Sequence, residues 1–201
     1  MKAFWFSNEK QVLAYNDGRP IIVGETHKVK GTPVVGNWGL HACKRVIEAD
    51  YYATSSHLYL VELSGKIAEY EDRCCATERT YLAYFNAFDV FQEFGRIYTL
   101  LKIERIKPYC SSTDYAIIIK WLKTNDIKLY EQTSIVGKSL ITYFSKTPEQ
   151  FANNFTKEDY FWNTIWADDS KDKAKDWRVE RTKLNNILTE MIVKATGWKI
   201  N

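Results

Sequence analysis

Histidine is scarce in this chain: three among 201 residues, His27, His41 and His57, all in the first sixty positions. Metal sites and acid–base machinery built on several imidazoles therefore have little to draw on. The glycine pattern GxxxxGK[ST] is missing, as are GxGxxG and GxSxG, which removes the phosphate cradle, the dinucleotide fingerprint and the nucleophile elbow. No run of about eighteen apolar residues exists, so a helical membrane span is not expected. The stretch Met1 to Glu9 meets a lysine and an acid at once and holds no apolar run of signal-peptide length, so the expected compartment is the cytoplasm. In that reducing setting Cys43, Cys74, Cys75 and Cys110 are expected to be free thiols, the adjacent pair being ill-placed to bridge itself. Excess charge is lacking too. Lys and Arg number 28 against 25 Asp and Glu, a net +3, too little for a field that holds a phosphate backbone without specificity.

Aromatic residues are abundant: 15% of the chain, with seven Trp and thirteen Tyr. Such side chains bury large areas and dominate cores and interfaces, so the excess points first to a Tyr- and Trp-filled core and alternatively to an aromatic-rich contact surface.

The pattern reads as α+β. Residues 1–76 are β-rich with one short helix, and 77–201 are helical. Short β-prone runs cover Lys2–Phe6 and Gln11–Tyr15, with Asn16-Asp17-Gly18 as a turn; a strand bent at Gly24 runs through Pro20–Val29, and Lys30–Gly39 is a loop. Leu40–Cys43 is a short strand or turn and Lys44–Ala53 a short helix. In His57–Leu63, alternation sets Leu58, Leu60 and Glu62 against Tyr59, Val61 and Leu63. Ser64-Gly65 reads as a turn, and Arg73–Ala76 as an edge strand. From Thr77 the spacing of Tyr81, Tyr84, Phe85, Phe88, Phe91 and Phe94 predicts a spine helix to about Lys107, which Pro108 ends. The expected architecture is a small mixed or antiparallel sheet packed on that helix, followed by a helical subdomain over 112–201. Within it a helix opens at Ser112, and others cover Leu129–Phe144, the stretch from Pro148 to Trp166, and Asp169–Thr196, which stops at Gly197. A division into two units and a single domain both fit.

Few constellations carry chemistry. His41 and Cys43, two apart on a strand, share a side and make a thiol–imidazole pair conceivable; adding Cys74 and Cys75 gives a set of zinc-type ligands. The spacing matches no standard knuckle and no third group orients the pair, so buried core thiols and no metal are expected.

Gly39-Leu40-His41-Ala42-Cys43, Ala49-Asp50-Tyr51-Tyr52-Ala53, Leu58 to Ile67, and Cys75-Ala76-Thr77-Glu78-Arg79-Thr80 follow one another in an order and spacing that resembles a family of uncharacterised phage and prophage proteins. The likeness covers roughly residues 10 to 125, including Trp121-Leu122-Lys123-Thr124-Asn125-Asp126. It implies phage origin and supplies no activity. Many such proteins continue into Ala- and Trp-rich helical tails, whereas this chain has charged, aromatic-rich helices after about residue 130. A fainter likeness is to half of an ADP-ribosyltransferase core. There Glu78 would stand for the acid that engages the ribose of NAD and Tyr52 for the nicotinamide-stacking aromatic. The Ser-Thr-Ser element of that core is missing, with His41-Ala42-Cys43 in its place, and Glu78 reads equally as a helix cap.

The leading expectation is an accessory protein without enzymatic activity or cofactor. It would act in the bacterial host's cytoplasm on a host protein or ribonucleoprotein, for instance as an inhibitor of a defence system of the anti-CRISPR kind. Its anchors would be Trp162, Trp166, Trp177 and Arg178, with Trp5 and Trp38 on the β-rich part. The first alternative is the NAD-using transferase with Tyr52, Glu78 and His41 as candidate catalytic residues. The second is nucleic-acid binding through the Lys and Arg positions of 171–183 around Trp177, a segment whose interleaved charges also suit a solvated helix face.

Overall fold

The computed structural model describes residues 1–14, 17–91, 93–95, 97, 111–124 and 172–200. Five strands form one antiparallel sheet: β1 (Lys2–Phe6), β2 (Thr26–Lys28), β3 (Leu40–Cys43), β4 (His57–Tyr70) and β5 (Arg73–Asn86). Among the described residues the helices include α1 (Val46–Asp50), α2 (Ser112–Thr124) and α3 (Asp172–Thr196), and the chain is α+β. The expected helices over Leu129–Phe144 and Pro148–Trp166 lie outside the described residues.

The long β4–β5 hairpin organises the sheet. Its partners run from His57↔Asn86 to Tyr70↔Arg73 around a turn at Glu71-Asp72. On the other edge of β4 lies β1, from Lys2↔Glu62 to Phe6↔Leu58. On the other edge of β5 lie β3 and β2. Phe4↔Cys43 joins β1 to β3, so β1, β4, β5 and β3 close into a ring.

Strand alternation divides the apolar residues between the two faces of this ring. The inner cluster gathers Ala3, Leu40, Ala42, Tyr59, Val61, Leu63, Cys74, Ala76 and Tyr81, with Leu13 and Ile21 added from the loop between β1 and β2. The outer cluster joins Phe4, Phe6, Leu58 and Leu60 to Val46 and Ile47 of α1, to Phe91 and Phe94, and to Leu184, Leu188 and Ile192 of α3. Residues four apart lie on one helix stripe, and fully burying each such aliphatic side chain is worth about 1.5–3 kcal/mol. The C-terminal helix therefore shares one core with the strands. Arg181 fixes its azimuth, reaching Glu48 of α1 through Nε at 2.5 Å and Nη2 at 2.7 Å, while Asn185 Oδ1 accepts from the Ile47 N–H at 3.3 Å.

Several expectations need correction. Of the strand expected over Gln11–Tyr15, the described residues hold only an isolated Val12–Pro20 bridge, and of Pro20–Val29 only Thr26–Lys28 is strand. Arg73–Ala76 is no edge, because β3 pairs with it on one side and β4 on the other. Thr77 does not open a helix: Thr77 to Asn86 is the second half of β5, and helical backbone starts only at residue 88. Asn86 marks the change, its Oδ1 accepting from the Phe88 N–H at 3.1 Å. The boundary drawn at 76/77 accordingly falls inside a strand. Ser64-Gly65 is likewise not a turn but a bulge that β4 passes through, with Gly65 and Lys66 set against Thr77 alone.

Asp50, the last residue of α1, is buried, and its Oδ1 has no hydrogen-bond partner among the described residues. Burial pushes its carboxyl well above the usual carboxylate range, with Arg181 opposing weakly. The native state thus holds a proton that the unfolded chain releases above about pH 4, and stability falls as pH rises from there through the raised folded value. Asp50→Asn should therefore raise the unfolding free energy at pH 8 by roughly 1–3 kcal/mol and leave it little changed at pH 4. Denaturant titrations of both proteins at the two pH values check this; an equal effect at both would mean that the charge is not the cause.

Candidate functional site: an aromatic–arginine face

The turn after α1 places Tyr51 and Tyr52 edge to face, their ring centroids 4.9 Å apart, with Tyr52 52% exposed. The Tyr52 hydroxyl accepts from Arg73 Nη1 at 3.4 Å, and Arg73, the first residue of β5, also lies over the Tyr70 ring at 5.1 Å from its centroid. Tyr70 ends β4 and is 57% exposed. The hydrogen bond from Arg73 to Tyr52 pushes the guanidinium's pKa further up, so it is a permanent cation. Beside these residues runs an open groove lined by Pro33, Val34, Val35, Ala68, Glu69, Tyr70 and Arg73. The loop that forms its far wall is pinned by the Val34–Trp38 bridge, by Trp38 Nε1 donating to the Lys30 carbonyl at 2.9 Å, and by the Gly36 N–H donating to His41 Nε2 at 3.0 Å. Trp38 stands 52% exposed at its end.

Tyr52 and Tyr70 are thus held around one guanidinium, while Trp38 stands on the loop that walls the groove. Of the neighbouring acids, Glu69 is paired with Lys44 and Asp72 with Arg45 at 2.5 Å, while Glu71 adds its charge near Arg73. Exposed aromatic rings beside an Arg fork are the side chains that anchor protein interfaces, because they combine large apolar area with directed hydrogen bonds.

A second polar group lies inside the ring of strands. Arg79 is 2% exposed and sits 3.8 Å over the Trp5 ring. Its Nη1 donates to the His41 carbonyl at 2.6 Å, and its Nε and Nη2 donate to the Tyr81 hydroxyl at 3.3 and 3.0 Å. With both lone pairs used, the Tyr81 proton points to His27 Nδ1 at 2.9 Å, so His27 carries its own proton on Nε2. Burial, then the Arg19 and Arg79 charges, lower the His27 pKa and keep the imidazole neutral, in agreement with that tautomer. The network is enclosed and internally satisfied; it ties β1, β2, β3 and β5 together.

The structure separates the residues assigned to the transferase alternative. Glu78 is mid-strand in β5, paired with Lys28 at 3.0 Å and accepting from Ser64 Oγ at 3.2 Å, which together hold its carboxyl below the usual range. Tyr52 is tied to Arg73. Arg73 and Glu78 are five positions apart on one strand, about 17 Å at 3.3–3.4 Å per residue. His41 is half-buried, with its Nε2 occupied by the Gly36 N–H. The thiols are poor nucleophiles: burial pushes Cys43 up to about 12 and Cys74 to about 11, and the Cys74 thiol donates to the Ala42 carbonyl at 3.2 Å. Among the described residues no group of three metal-ligating side chains converges.

Of the expected anchors, Trp5 turns inward to Arg79, and Trp38 belongs to the exposed face. Trp162 and Trp166 lie outside the described residues. Trp177 and Arg178 fall in the first turns of α3. In the segment 171–183, Arg181 is committed to Glu48. Tyr70 and Arg73 escaped the sequence reading, although Tyr-Glu-Asp-Arg, two acids between strand-prone residues, was a hairpin signal of the weaker sort. Comparison with protein-family models, curated proteins and solved structures returns no match. No helix among the described residues is long and apolar enough to cross a membrane.

Proposed function

We propose that this chain acts by binding a macromolecular partner, a protein, through the face formed by Trp38, Tyr52, Tyr70 and Arg73. The observation that carries the reading is a pair of rings, Tyr52 and Tyr70, each more than half exposed, at a cation with no carboxylate partner among the described residues, with a third exposed ring, Trp38, on the loop beside the groove. A monomeric surface gains nothing from holding such rings in water, whereas an interface gains both their area and the Arg fork. The likeness to phage and prophage proteins supplies the setting: an accessory protein directed at a host component, of the kind that blocks a defence system.

The test is capture of partners from bacterial host lysate by the tagged chain, with and without nuclease, read by mass spectrometry. A stoichiometric partner is expected to survive nuclease and to be kept by Glu78→Gln. The double substitution Trp38→Ala, Tyr70→Ala should weaken it by about 2–4 kcal/mol, some thirtyfold or more. Activity that disappears with Glu78→Gln but not with the double substitution would move the reading to NAD chemistry. A partner lost on nuclease treatment, with affinity falling steeply in salt, would move it to nucleic acid.

A further inference from the structure

The end of the β4–β5 hairpin away from Tyr70 holds a second group of polar side chains. Tyr84 pairs with Tyr59 across the two strands, their ring centroids 5.2 Å apart, and the Tyr84 hydroxyl lies 2.9 Å from His57 Nδ1. Glu9 Oε2 stands 3.4 Å from the other ring nitrogen, Nε2. The carboxylate draws the ring proton to Nε2 and leaves the lone pair on Nδ1, so the Tyr84 hydroxyl is the donor. We propose that Tyr84 is the acceptor of an activated acyl group, with His57 as its general base and Glu9 fixing the tautomer. This site shares no residue with the binding face.

The base is held in place from several sides. The His57 N–H donates to Ser55 Oγ at 3.1 Å, Ser55 Oγ donates to the Ser7 carbonyl at 2.8 Å, and the Ser7 N–H donates to the His57 carbonyl at 3.0 Å. The imidazole is 14% exposed and Tyr84 40%, so the base is shielded while the tyrosine is open to a reagent. The loop that carries Glu9 is pinned as well. The Asn8 side chain bonds both the N–H and the carbonyl of Val12, and Gln11, at φ 50°, takes the Tyr59 hydroxyl on Oε1 at 2.6 Å. Backbone strain of this kind, in a residue other than glycine, is kept where surrounding contacts demand it, and functional sites are where it gathers. Burial, then the neighbouring Tyr84 and Tyr81 hydroxyls, push Tyr59 up to about 12, so Tyr59 stays a donor and Tyr84 is the oxygen left to react. Charge and leaving group set the class of the electrophile. Phosphoryl transfer needs cations around the donor, whereas the side chains at Tyr84 and His57 are neutral or acidic, and Lys10, next to Glu9 in sequence, is exposed and bonds to neither ring. A phenol takes an acyl group from an ordinary ester or amide only uphill, so the donor must be activated. An acyl thioester is activated and brings no charge to the reacting carbon.

In that step the Tyr84 oxygen attacks the thioester carbonyl carbon while its proton passes to His57 Nδ1. The tetrahedral adduct collapses, the C–S bond breaks, and the departing thiolate takes the proton back from the imidazolium. The products are an aryl ester on Tyr84 and a free thiol. The test incubates the full chain with the acetyl thioester of N-acetylcysteamine and follows each tyrosine by peptide mass spectrometry. Tyr52 and Tyr70, more exposed but without an imidazole at the hydroxyl, are controls in the same molecule. Tyr84 is expected to acylate about a hundredfold faster than either, the lower end of general-base assistance. His57→Ala should remove that advantage and free imidazole should restore part of it. Glu9→Gln should slow Tyr84 and spare the two controls. The comparison within the unaltered chain stands whether or not the variants fold. Tyr84 no faster than Tyr70 in that chain, a rate unchanged in His57→Ala or Glu9→Gln, or labelling by p-nitrophenyl phosphate in place of the thioester would each overturn the assignment.

Discussion

Removing a single atom, the hydroxyl oxygen of Tyr81, should lower the unfolding free energy by about 3 kcal/mol, or roughly 6–12 °C in Tm for a chain of this length. That oxygen accepts two of the three hydrogen bonds of the buried Arg79 and gives its proton to His27. In Tyr81→Phe the ring stays, with its edge contacts to Tyr59 and His27, so little packing is lost. Two guanidinium N–H groups and one imidazole nitrogen are then left buried without partners. Burial already lowers the Arg79 pKa, a sign that the cation is held at a cost even with its partners in place. The cycle with Arg79→Met isolates the coupling: once the cation is gone, loss of the hydroxyl should cost about 1 kcal/mol or less. Chemical denaturation of the four proteins is the measurement, and a loss under 1 kcal/mol in Tyr81→Phe alone would show that the hydroxyl does not bear the cation.

Gly65→Ala should cost a further large amount, about 2–4 kcal/mol. The residue sits in the β4 bulge at φ 73°, a conformation that L side chains adopt only with strain. A methyl group there would also be driven into Thr77 Oγ1, which accepts the Lys66 N–H at 3.0 Å. Gly24 provides the control. It too has a positive φ, 92°, but nothing lies within 4 Å of an added Cβ, so Gly24→Ala should show the strain alone, about 1 kcal/mol. Combining Gly65→Ala with Thr77→Ala should recover the difference. If Gly65→Ala and Gly24→Ala cost the same, the bulge is open enough to admit a side chain.

β1, β3, β4 as far as Leu63, the loop before β3, α1 and the stop of α3 at Gly197 were legible, because alternation, glycine and helical spacing act locally there, whereas the strands read over Gln11–Tyr15 and Pro20–Val29 shrink to one bridge and Thr26–Lys28. The spine helix was misread for a reason visible in β5. Leu60 pairs with Ala83 and Val61 with Tyr81, so Leu82 is an extra residue and a bulge. It moves Ala83 and Phe85 to the outer cluster while Tyr81 belongs to the inner one. A strand that switches faces mid-way and then runs into the helical residues at Phe88, Phe91 and Phe94 imitates three- and four-residue spacing throughout. Arg79 left little local mark, since Trp5 and His41 are brought to it by β1 and β3, and Tyr81, two positions on in β5, does not by itself announce a buried cation. The Tyr70–Arg73 pair was hidden by a turn built from Glu71, at φ 53°, and Asp72, where glycine or asparagine would have announced a hairpin.

The outer cluster has a consequence for how the protein is made. Phe4, Phe6, Leu58 and Leu60 are covered by Leu184, Leu188 and Ile192, and Lys2 Nζ donates to the Lys199 carbonyl at 3.0 Å, across 197 positions of sequence. A ribosome adding about 5–20 residues per second finishes the strands many seconds before it releases the helix that shields them. Through that interval the nascent chain lacks Leu184, Leu188 and Ile192 over this sheet face. Yield in cells should therefore depend on chaperone supply, and a stop codon placed before Asp172 should turn soluble product into aggregate although the strands would be intact.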